Sequence, residues 1–314
     1  MAKVLITGGA GFIGRHVVRQ FLGHCWEVVS LDVDGFNEFE LGNAVNFTTY
    51  RGDINSKKRL REAMHGCDAV VHLAAVVSVP HSIQEPEKTM TVNVEGTRNV
   101  LQCALDGGVS NVVVASSAAV YGACPDMPLI ESGPVECLSP YAQSKATNEE
   151  DVMVFRKKGL NAIALRFFNV YGPGQRSDSS YASLIPIFVH AMKSGKRPTI
   201  HGDGEQTRDF VHVHDLAKAV YKMAARKEPY EHVVANVASE TQISVLEVVQ
   251  CINRGLKERN NMEAIVPHHG DARQGDVMHS CGSAKRIHTM IDWKAEITFE
   301  NGIDSLLENE KERR

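Results

Sequence analysis

The stretch that decides the fold reads Lys3-Val-Leu-Ile-Thr-Gly-Gly-Ala-Gly-Phe-Ile-Gly14. Its apolar residues 4–6 predict a short buried strand, and the amphipathic run that starts at Phe12 predicts a helix. The glycines between them let the backbone turn tightly and approach a ligand closely. A helix N-terminus offers free N–H groups and the positive end of the helix dipole. The segment therefore predicts a strand, a glycine turn and a helix that bind the pyrophosphate of a dinucleotide.

The chain then alternates between strand and helix patterns as far as residue 167. Strands are predicted over residues 27–31, 45–51, 69–73, 111–116 and 162–167, with helices after Ser56, over 92–105 and after Pro140. Six strands that alternate with helices predict an α/β fold, a doubly wound parallel sheet of the Rossmann type. Ligands of such sheets bind at the carboxyl ends of the strands.

The pattern becomes less regular after residue 168. Proline and glycine are frequent there, and helices are predicted over 184–193, 215–225, 245–256 and 284–291. We therefore expect a dinucleotide-binding Rossmann domain over residues 1–168 and a smaller C-terminal substrate-binding domain over 169–314. A strand predicted over 232–237 could return to the main sheet, so that part of the segment 208–240 would belong to the first domain.

Composition and charge exclude several classes of protein. The chain has 314 residues, of which 43% are hydrophobic and 23% charged, and its formal net charge is −4. This balance favours neither nucleic acid nor a membrane as a partner. The first strand begins at once, so we expect no signal peptide, and no apolar run approaches the roughly 20 residues that cross a bilayer. Scattered cysteines without a C-x-x-C pair predict reduced thiols and a cytoplasmic protein. The histidine pairs lack metal-site spacing, so no metal is expected.

Polar and small residues follow the predicted strands. Asp32 closes the second strand, about where a dinucleotide fold places a carboxylate for the ribose hydroxyls. A carboxylate there repels a 2′-phosphate and favours NAD over NADP, although a turn aspartate is the alternative. Asp53 could meet the adenine amino group, and Ile54 could cover the ring. The small pair Ala74-Ala75 leaves room for a cofactor against the backbone.

Tyr141 and Lys145 lie four residues apart at the start of one predicted helix, so their side chains share a face. A nearby cation favours phenolate and would lower the tyrosine pKa from about 10. Such a tyrosine could take a proton from a sugar hydroxyl while a hydride leaves the carbon. Ser117, which follows the fifth strand, could bond the same oxygen and relay the proton. Each feature alone also fits an exposed or turn-forming residue, but their combination with the glycine turn favours an enzyme.

Longer motifs extend through the chain. They include His72-Leu-Ala-Ala75, Ser116-Ser-Ala-Ala-Val-Tyr-Gly122, Ser139-Pro-Tyr-Ala-Gln-Ser-Lys145, Leu165-Arg-Phe-Phe-Asn-Val-Tyr-Gly-Pro173 and Gly202-Asp-Gly-Glu-Gln-Thr-Arg-Asp-Phe210. By these motifs the chain resembles the extended short-chain dehydrogenase/reductases, and within them the UDP-sugar 4-epimerases of the UDP-glucose and UDP-N-acetylglucosamine type. The resemblance implies NAD as a tightly held cofactor, a UDP-sugar as substrate, and a homodimer formed through the helices around 93–105 and 142–155.

The resemblance also implies roles for individual residues. Tyr141 would be the base, Lys145 its partner and Ser117 the proton relay. NAD would be held by Gly8, Gly11, Phe12, Ile13, Gly14, Asp32, Asp53, Ile54, Leu73, Ala74, Ala75, Asn93, Ser116, Tyr141, Lys145 and Phe168. The substrate would be held by Ser78, Ser117, Asn169, Leu184, His201, Arg208, Arg273, Asp276 and Ser280. The implied reaction inverts C4 of a UDP-hexose through a transient 4-keto sugar.

Two departures from related patterns refine this expectation. The related dehydratases follow the relay serine with an Asp-Glu pair, whereas this chain has Ala118-Ala119, which cannot do acid–base chemistry. Epimerases restricted to glucose and galactose tend to place a tyrosine where this chain has Ser280. The small side chain predicts room for a 2-N-acetyl group, and hence activity on both UDP-GlcNAc/UDP-GalNAc and UDP-Glc/UDP-Gal.

Two alternatives stay open. One is 4-epimerisation of UDP-glucuronate or another NAD-dependent change to a nucleotide sugar, for which Arg176 and His81 could contact a C6 carboxylate. The other, from a different class, is a non-catalytic NAD-sensing regulator on the same fold. Such regulators typically lack the Tyr-Lys pair, so Tyr141 and Lys145 speak against it.

Overall fold

A computed structural model describes residues 1–36, 44–177, 183–272 and 277–308 of the chain. Its strands are β1 (Lys3–Thr7), β2 (Glu27–Asp32), β3 (Phe47–Arg51), β4 (Ala69–His72), β5 (Asn111–Ser117), β6 (Ala162–Phe167), β7 (Asn169–Tyr171), β8 (Thr199–His201), β9 (Thr207–His212), β10 (Val234–Val237), β11 (Gln242–Ser244) and β12 (His268–Gly270). Its helices are α1 (Phe12–Gly23), α2 (Lys57–Met64), α3 (Val79–Gln84), α4 (Pro86–Met90), α5 (Gly96–Asp106), α6 (Pro140–Lys157), α7 (Leu184–Lys193), α8 (Val213–Ala224), α9 (Val245–Asn260), α10 (Lys285–Ile291) and α11 (Phe299–Glu308). A π-helical turn (Thr91–Glu95) joins α4 to α5.

The main sheet is parallel throughout. Within the described ranges it has seven strands in the order β10-β6-β5-β4-β1-β2-β3, and Val4 of β1 pairs with Val28 on one side and Ala69 on the other. The chain builds outward from β1 to β3, then returns across β1 and builds outward again from β4. The carboxyl ends of β1 and β4 therefore border the crevice at which such sheets bind ligands. The predicted doubly wound α/β fold is confirmed.

The central strands are apolar because both faces of the sheet are covered. On β1, Val4 and Ile6 face a core shared with α1 and α8, whereas Leu5 faces a second core shared with α2 and α5. All three side chains are completely buried. Burial on both faces explains why these strands appear in the sequence as continuous apolar runs rather than alternating ones.

The second half of the chain forms two smaller sheets and also completes the large one. Strands β11, β9 and β7 form one small sheet, and β12 pairs with β8 in the other. Helices α7, α9 and α11 pack around a third core that includes Phe188, Ile252 and Ile303. Strand β10 instead lies at the edge of the main sheet, where Val234 pairs with Ala164 of β6. Residues beyond 168 thus complete the first sheet. The division into two domains at residue 168 remains a prediction.

Histidines meet where α1 contacts the start of α8. The ring centroids of His16 and His214 are 4.9 Å apart, and those of His214 and His212 are also 4.9 Å apart. A ring nitrogen of His16 lies 2.8 Å from the carbonyl oxygen of Pro173. Burial lowers the pKa of both His16 and His212 to about 4, so both rings are neutral at neutral pH. Among the described residues, no group of His, Cys, Asp or Glu side chains is arranged to hold a metal ion.

The cysteines and the helices add two further observations. All seven cysteines fall inside the described ranges, and each is a free thiol. None of the helices in these ranges combines the length and the apolar character that a membrane crossing requires.

Candidate active site

The glycine turn between β1 and α1 forms a close-packed cradle. Gly8 has a φ of +73°, which favours glycine, and a Cβ there would lie 2.7 Å from the backbone nitrogen of Ala74. A Cβ on Gly14 would lie 2.7 Å from the Cα of Gly9. Gly11 precedes α1 as its N-cap without a side chain, so the first N–H groups of the helix, at Phe12, Ile13 and Gly14, stay available to an anion. The turn therefore has the shape and the donors that a pyrophosphate needs.

Asp32 lies next to this turn. One of its carboxylate oxygens accepts a hydrogen bond from the backbone nitrogen of Ala10 at 3.0 Å, and the other accepts one from Asp34 at 3.1 Å. Each oxygen keeps a further lone pair for a ligand hydroxyl. Asp53 is exposed, and its carboxylate accepts from the backbone and side chain of Asn55 at 2.8 and 3.1 Å. Both predicted carboxylates thus lie at strand ends, fixed by short local bonds.

Ile54 differs from its expected role. Its side chain is buried in the core beside α5, where it packs directly against Gly96. It cannot cover an adenine ring from there, because the side chain is buried beside α5 and does not reach the crevice. A contact between its backbone and the cofactor stays a prediction.

Asn93 fixes the loop after β4 instead of pointing at a ligand. Its side-chain nitrogen donates to the carbonyl oxygen of Val76 at 2.9 Å and to the hydroxyl of Ser144 at 3.0 Å, and its oxygen accepts from the Val76 nitrogen at 2.7 Å. Both amide donors are therefore used. On the same loop, the Leu73 nitrogen donates to the Thr7 carbonyl at 3.0 Å, which brings Leu73, Ala74 and Ala75 to the edge of the crevice. The side chain of Asn93 supports the cofactor wall and does not itself offer a donor.

Ser116 and Phe168 are also turned away from a ligand. The Ser116 hydroxyl is buried and donates to the carboxylate of Glu149 at 2.5 Å. The ring of Phe168 is buried against Gly282, with its centroid 6.2 Å from that of Tyr121. A side-chain contact of either residue with NAD is not available in this arrangement, because the Ser116 hydroxyl is bonded to Glu149 and the Phe168 ring, between β6 and β7, lies in the core.

The three residues predicted to carry the chemistry do meet. Tyr141 opens α6, where its backbone nitrogen donates to the Ser82 hydroxyl at 3.1 Å, and its side chain is hydrogen-bonded to Ser117 at the end of β5. The Lys145 ammonium is buried, donates to the carbonyl oxygen of Ala115 at 2.8 Å and lies 5.9 Å from the centroid of the Tyr141 ring. A phenol, a hydroxyl and an ammonium thus converge at the carboxyl end of β5.

The charges of this group differ from the sequence expectation. Burial raises the pKa of Tyr141, and the hydrogen bond with Ser117 opposes this only in part. Burial also lowers the pKa of Lys145 to about 8, against the attraction of Glu149. The prediction that the pKa of Tyr141 lies below its ordinary value is wrong for the protein by itself, since burial of the phenol disfavours its charged form and raises the pKa.

Three of the predicted substrate residues line one cavity. Asn169 of β7, Leu184 of α7 and Arg208 of β9 border a space of about 250 Å³. The Asn169 side chain donates to the carbonyl oxygen of Asp209 at 3.0 Å, which holds β7 and β9 together at this point. His201 lies just outside, where its carbonyl oxygen accepts from the lining residue Gln206 at 2.8 Å. The fold therefore gathers residues that are far apart in sequence.

The remaining substrate residues are more dispersed. A second cavity, of about 440 Å³, is lined by Ala123, Cys124, Pro125, Met127, Gln242, Val277, Met278 and His279. Ser280 follows this lining, and its nitrogen donates to the carbonyl oxygen of Thr207, next to Arg208, at 3.2 Å. The Ser78 hydroxyl caps α3 by accepting from the His81 nitrogen at 3.1 Å. Arg273 and Asp276 lie outside the described residues.

Arg166 and Glu149, two buried charged residues near Tyr141 and Lys145, were not predicted from the sequence. Arg166 donates from Nε and Nη2 to the two carboxylate oxygens of Glu149, at 2.8 and 2.7 Å. The only sequence signal for Glu149 is its spacing, four residues after Lys145 and eight after Tyr141, which puts all three on one face of α6.

Comparison with known proteins places this site in context. The model of the NAD dependent epimerase/dehydratase family matches residues 4–238. The structure of the UDP-N-acetylglucosamine 4-epimerase from Methanobrevibacter ruminantium M1, in complex with UDP-N-acetylmuramic acid, superposes with a TM-score of 0.89 at 33% identity, covering 97% of this chain and 96% of that one. MoeE5 in complex with UDP-glucuronic acid and NAD has a TM-score of 0.86 at 32% identity and covers 97% of each chain. The dTDP-D-glucose 4,6-dehydratase of Mus musculus is 30% identical in an alignment that covers 98% of this chain and 88% of that one. The names of these similar proteins include both an epimerase and a dehydratase.

Proposed function

The chain belongs to the NAD dependent epimerase/dehydratase family, and we propose that it is an isomerase that inverts C4 of UDP-hexoses. The proposed substrates are UDP-GlcNAc/UDP-GalNAc and UDP-Glc/UDP-Gal. The observation that carries the proposal is the convergence of Ser117, Tyr141 and Lys145 at the same edge of the sheet as the glycine turn. That edge is where a parallel sheet binds its ligands.

NAD is the cofactor, and the cradle fits it. A side chain at Gly8 or Gly14 would collide with neighbouring backbone atoms, so glycine at these positions allows the turn to pack this closely at the N-terminus of α1. The α1 N-terminus would hold the pyrophosphate, and the Asp32 carboxylate would accept from the adenosine ribose. The chemistry that bound NAD supplies is reversible hydride transfer at the sugar carbon.

Tyr141 is the proposed base. In its phenolate form it takes the proton of the C4 hydroxyl. It later returns that proton to the C4 oxygen when the ketone is reduced, while Ser117 shares the proton by a hydrogen bond. Because burial raises the pKa of Tyr141, its phenolate depends on positive charge nearby. Lys145, fixed on the Ala115 carbonyl, brings one such charge.

The residues after Ser117 favour epimerisation over dehydration. Ala118 and Ala119 follow Ser117 directly, and the Ala119 nitrogen donates back to the Ser117 hydroxyl at 3.1 Å. Their methyl groups cannot protonate a leaving hydroxyl, which an elimination across the sugar requires. A hexose ketone formed at C4 is therefore expected to be reduced again, from one face or the other, rather than dehydrated.

The nucleotide half of the substrate is assigned to the cavity between β7, β9 and α7. Arg208 presents a guanidinium suited to a pyrophosphate, and Asn169 and Leu184 complete that wall. The predicted roles of Arg273 and Asp276 belong to the same proposal. Small Ser280 leaves space for a 2-N-acetyl group, so the variant Ser280→Tyr is expected to lose UDP-GlcNAc turnover and to keep UDP-Glc turnover.

Epimerisation of UDP-glucuronate is a second candidate. A structural neighbour of this chain, MoeE5, is bound to UDP-glucuronic acid and NAD. In this chain His81 and the exposed Arg176 could contact a C6 carboxylate. A regulator that only senses NAD is less favoured, because sensing NAD does not require a buried Lys145 held beside Tyr141.

The test is conversion of UDP-Glc, UDP-GlcNAc and UDP-GlcA, each supplied separately to the purified protein without added NAD and resolved by chromatography. Conversion of UDP-GlcNAc to UDP-GalNAc supports the proposal and shows that NAD is retained. Conversion of UDP-GlcA alone transfers the assignment to the second candidate. No conversion of any of the three, with or without NAD, contradicts the proposed function.

We also propose that the protein is a homodimer in the cytoplasm, joined through α5 and α6. Met153 and Val154 expose apolar surface on α6, at 43% and 45% of their full accessibility. Light scattering during gel filtration is expected to give twice the 34.5 kDa chain mass, and Val154→Arg is expected to shift it toward the monomer. A monomeric mass for the unmodified chain at micromolar concentration would contradict the dimer.

A further inference from the structure

A strand and a helix are locked together beside the candidate site. Three consecutive residues of β5 each bind one of three residues of α6 that are spaced by four: Ser117 with Tyr141, Ala115 with Lys145 and Ser116 with Glu149. The first two of these contacts position the proposed chemistry. The third, between two buried residues, has no place in the proton transfer described above.

The Glu149 carboxylate accepts three hydrogen bonds from two residues. Arg166 donates to both of its oxygens, at 2.8 and 2.7 Å, and Ser116 donates to one of them at 2.5 Å. The side chains of Arg166 and Glu149 are only 4% and 9% exposed. A buried ion pair of this kind often gives no more stability than apolar residues of the same volume. Its stabilising effect therefore does not by itself account for a carboxylate at this depth.

One polar atom of this ion pair has no hydrogen-bond partner within the described ranges. The Nη1 atom of Arg166 is buried without a hydrogen-bond partner among the described residues. The guanidinium instead lies over the ring of Tyr121, at 4.6 Å from its centroid. Arg166 thus fixes the position of the Glu149 carboxylate by two hydrogen bonds.

The arrangement bears directly on Lys145. We propose that Glu149 is a positioning residue, which keeps the buried Lys145 ammonium charged and in place next to Tyr141. One helical turn separates Glu149 from Lys145, so the carboxylate and the ammonium lie on one face of α6. This inference rests on the proposed function, because the charge of Lys145 matters only if Tyr141 acts as a base.

The other charged or titratable groups around Lys145 cannot replace Glu149. His72 of β4 is neutral, since burial lowers its pKa to about 3. Tyr141 is a neutral phenol until it acts, and Arg166 of β6 is positive. Burial alone disfavours the ammonium, and the attraction of Glu149 is what opposes it.

The test compares variants of the full chain in steady-state turnover of the UDP-sugar that the unmodified protein converts best. Glu149→Gln is expected to reduce kcat by about tenfold or more with KM changed less than twofold. The fall of kcat at high pH is expected to begin about one pH unit lower, because Lys145 then loses its proton more easily. Asp151→Asn is the matched control, since Asp151 lies on the same helix and forms an ion pair with Arg98 at 2.9 Å, away from the site.

A double variant separates positioning from folding. Glu149→Gln leaves Arg166 buried without its partner and is expected to be less stable, whereas Glu149→Met with Arg166→Met removes both charges and keeps the volume. The positioning role requires that this double variant folds and retains NAD yet keeps the low kcat and the shifted pH profile. A double variant with the kcat and pH profile of the unmodified protein would overturn the inference. Failure of the unmodified protein to turn over any UDP-sugar would instead overturn the proposed function.

Discussion

Burial acts on Tyr141 and Lys145 in the same sense, toward their uncharged forms. It raises the pKa of the phenol and lowers that of the ammonium to about 8. At pH 7 the lysine still carries its charge most of the time, whereas the tyrosine is protonated. Without a ligand, Tyr141 is therefore not ready to act as a base. Its phenolate forms only when further positive charge or a bound substrate changes the surroundings of the phenol oxygen.

Replacing Tyr141 by Phe tests this assignment most directly. The variant keeps the ring and removes the hydroxyl, so we expect kcat to fall by about 10²- to 10⁴-fold, the usual contribution of a general base. Bound NAD, measured by its release on denaturation, is expected to be unchanged. A variant that keeps its full activity would remove Tyr141 from the mechanism.

Replacing Gly14 by Ala tests the cradle. The new Cβ would lie 2.7 Å from the Cα of Gly9, which is closer than real Cβ atoms approach backbone. We expect the variant to retain much less NAD, as measured by cofactor content after gel filtration. Gly23→Ala is the matched control at the other end of α1, because a Cβ there meets nothing within 4 Å. Equal NAD retention in both variants would contradict the fit of the cradle to a pyrophosphate.

Some of these residues could be predicted from the sequence and others could not. The glycine turn and the group of Ser117, Tyr141 and Lys145 could be predicted because they depend on local spacing. In a strand or a helix, the spacing alone determines on which face each side chain lies. Whether a neighbouring side chain faces the ligand or the core depends on packing. Ser117 and Ser116 are adjacent on β5, yet one is bonded to Tyr141 and the other to buried Glu149. Alternation along a strand predicts that these two side chains point to opposite faces, but not which of them meets the ligand. No pattern in the sequence indicated the burial of Ile54 and Phe168.

The contact between α1 and α8 makes folding sensitive to acid. His16 and His212 are buried and neutral there, with a pKa of about 4 in the folded chain against about 6.5 when unfolded. The unfolded chain therefore binds more protons than the folded one between these values, and stability rises with pH across that window. The stabilisation is complete above about pH 6.5 and is lost as the pH falls toward 4.

Urea unfolding at a series of pH values checks this. Each histidine is expected to contribute a slope of about 1.4 kcal/mol in the free energy of unfolding per pH unit between pH 4 and 6.5. His16→Gln, which can still donate to the Pro173 carbonyl, is expected to remove one of these slopes. A slope that does not change in the variant would show that His16 is not neutral in the folded chain.

The two halves of the chain share one core. The cluster that covers one face of the main sheet contains Ile6 and Phe21 from the first half, and Leu216 and Val220 of α8 together with Ala235 of β10 from the second. The sequence pattern predicted the sheet and a strand over 232–237 that could return to it, but not which side chains of the second half cover this face, because packing between distant segments has no local sequence signal. The smaller sheets were not predicted either, since β7, β8, β11 and β12 have three residues each, too few to show a period.

A fragment of residues 1–168 is expected not to fold on its own. It lacks α8 and β10, so the face formed by Val4, Ile6 and Phe21 would be exposed to water. Far-UV circular dichroism during urea titration is expected to show no cooperative transition for the fragment, and a single sharp one for the full chain. A cooperative transition of the fragment would support an independent domain that ends at residue 168.

The edge position of β10 has a consequence for biosynthesis. About seventy residues separate the end of β6 from the end of β10, and a ribosome adds them in roughly 4–14 s. Throughout that interval the β6 segment lacks its partner β10, so its apolar residues and its backbone N–H and C=O groups are exposed, and exposed strands of this kind pair readily with strands of other chains. Translation of the segment between β6 and β10 is therefore the time at which this protein most needs a chaperone.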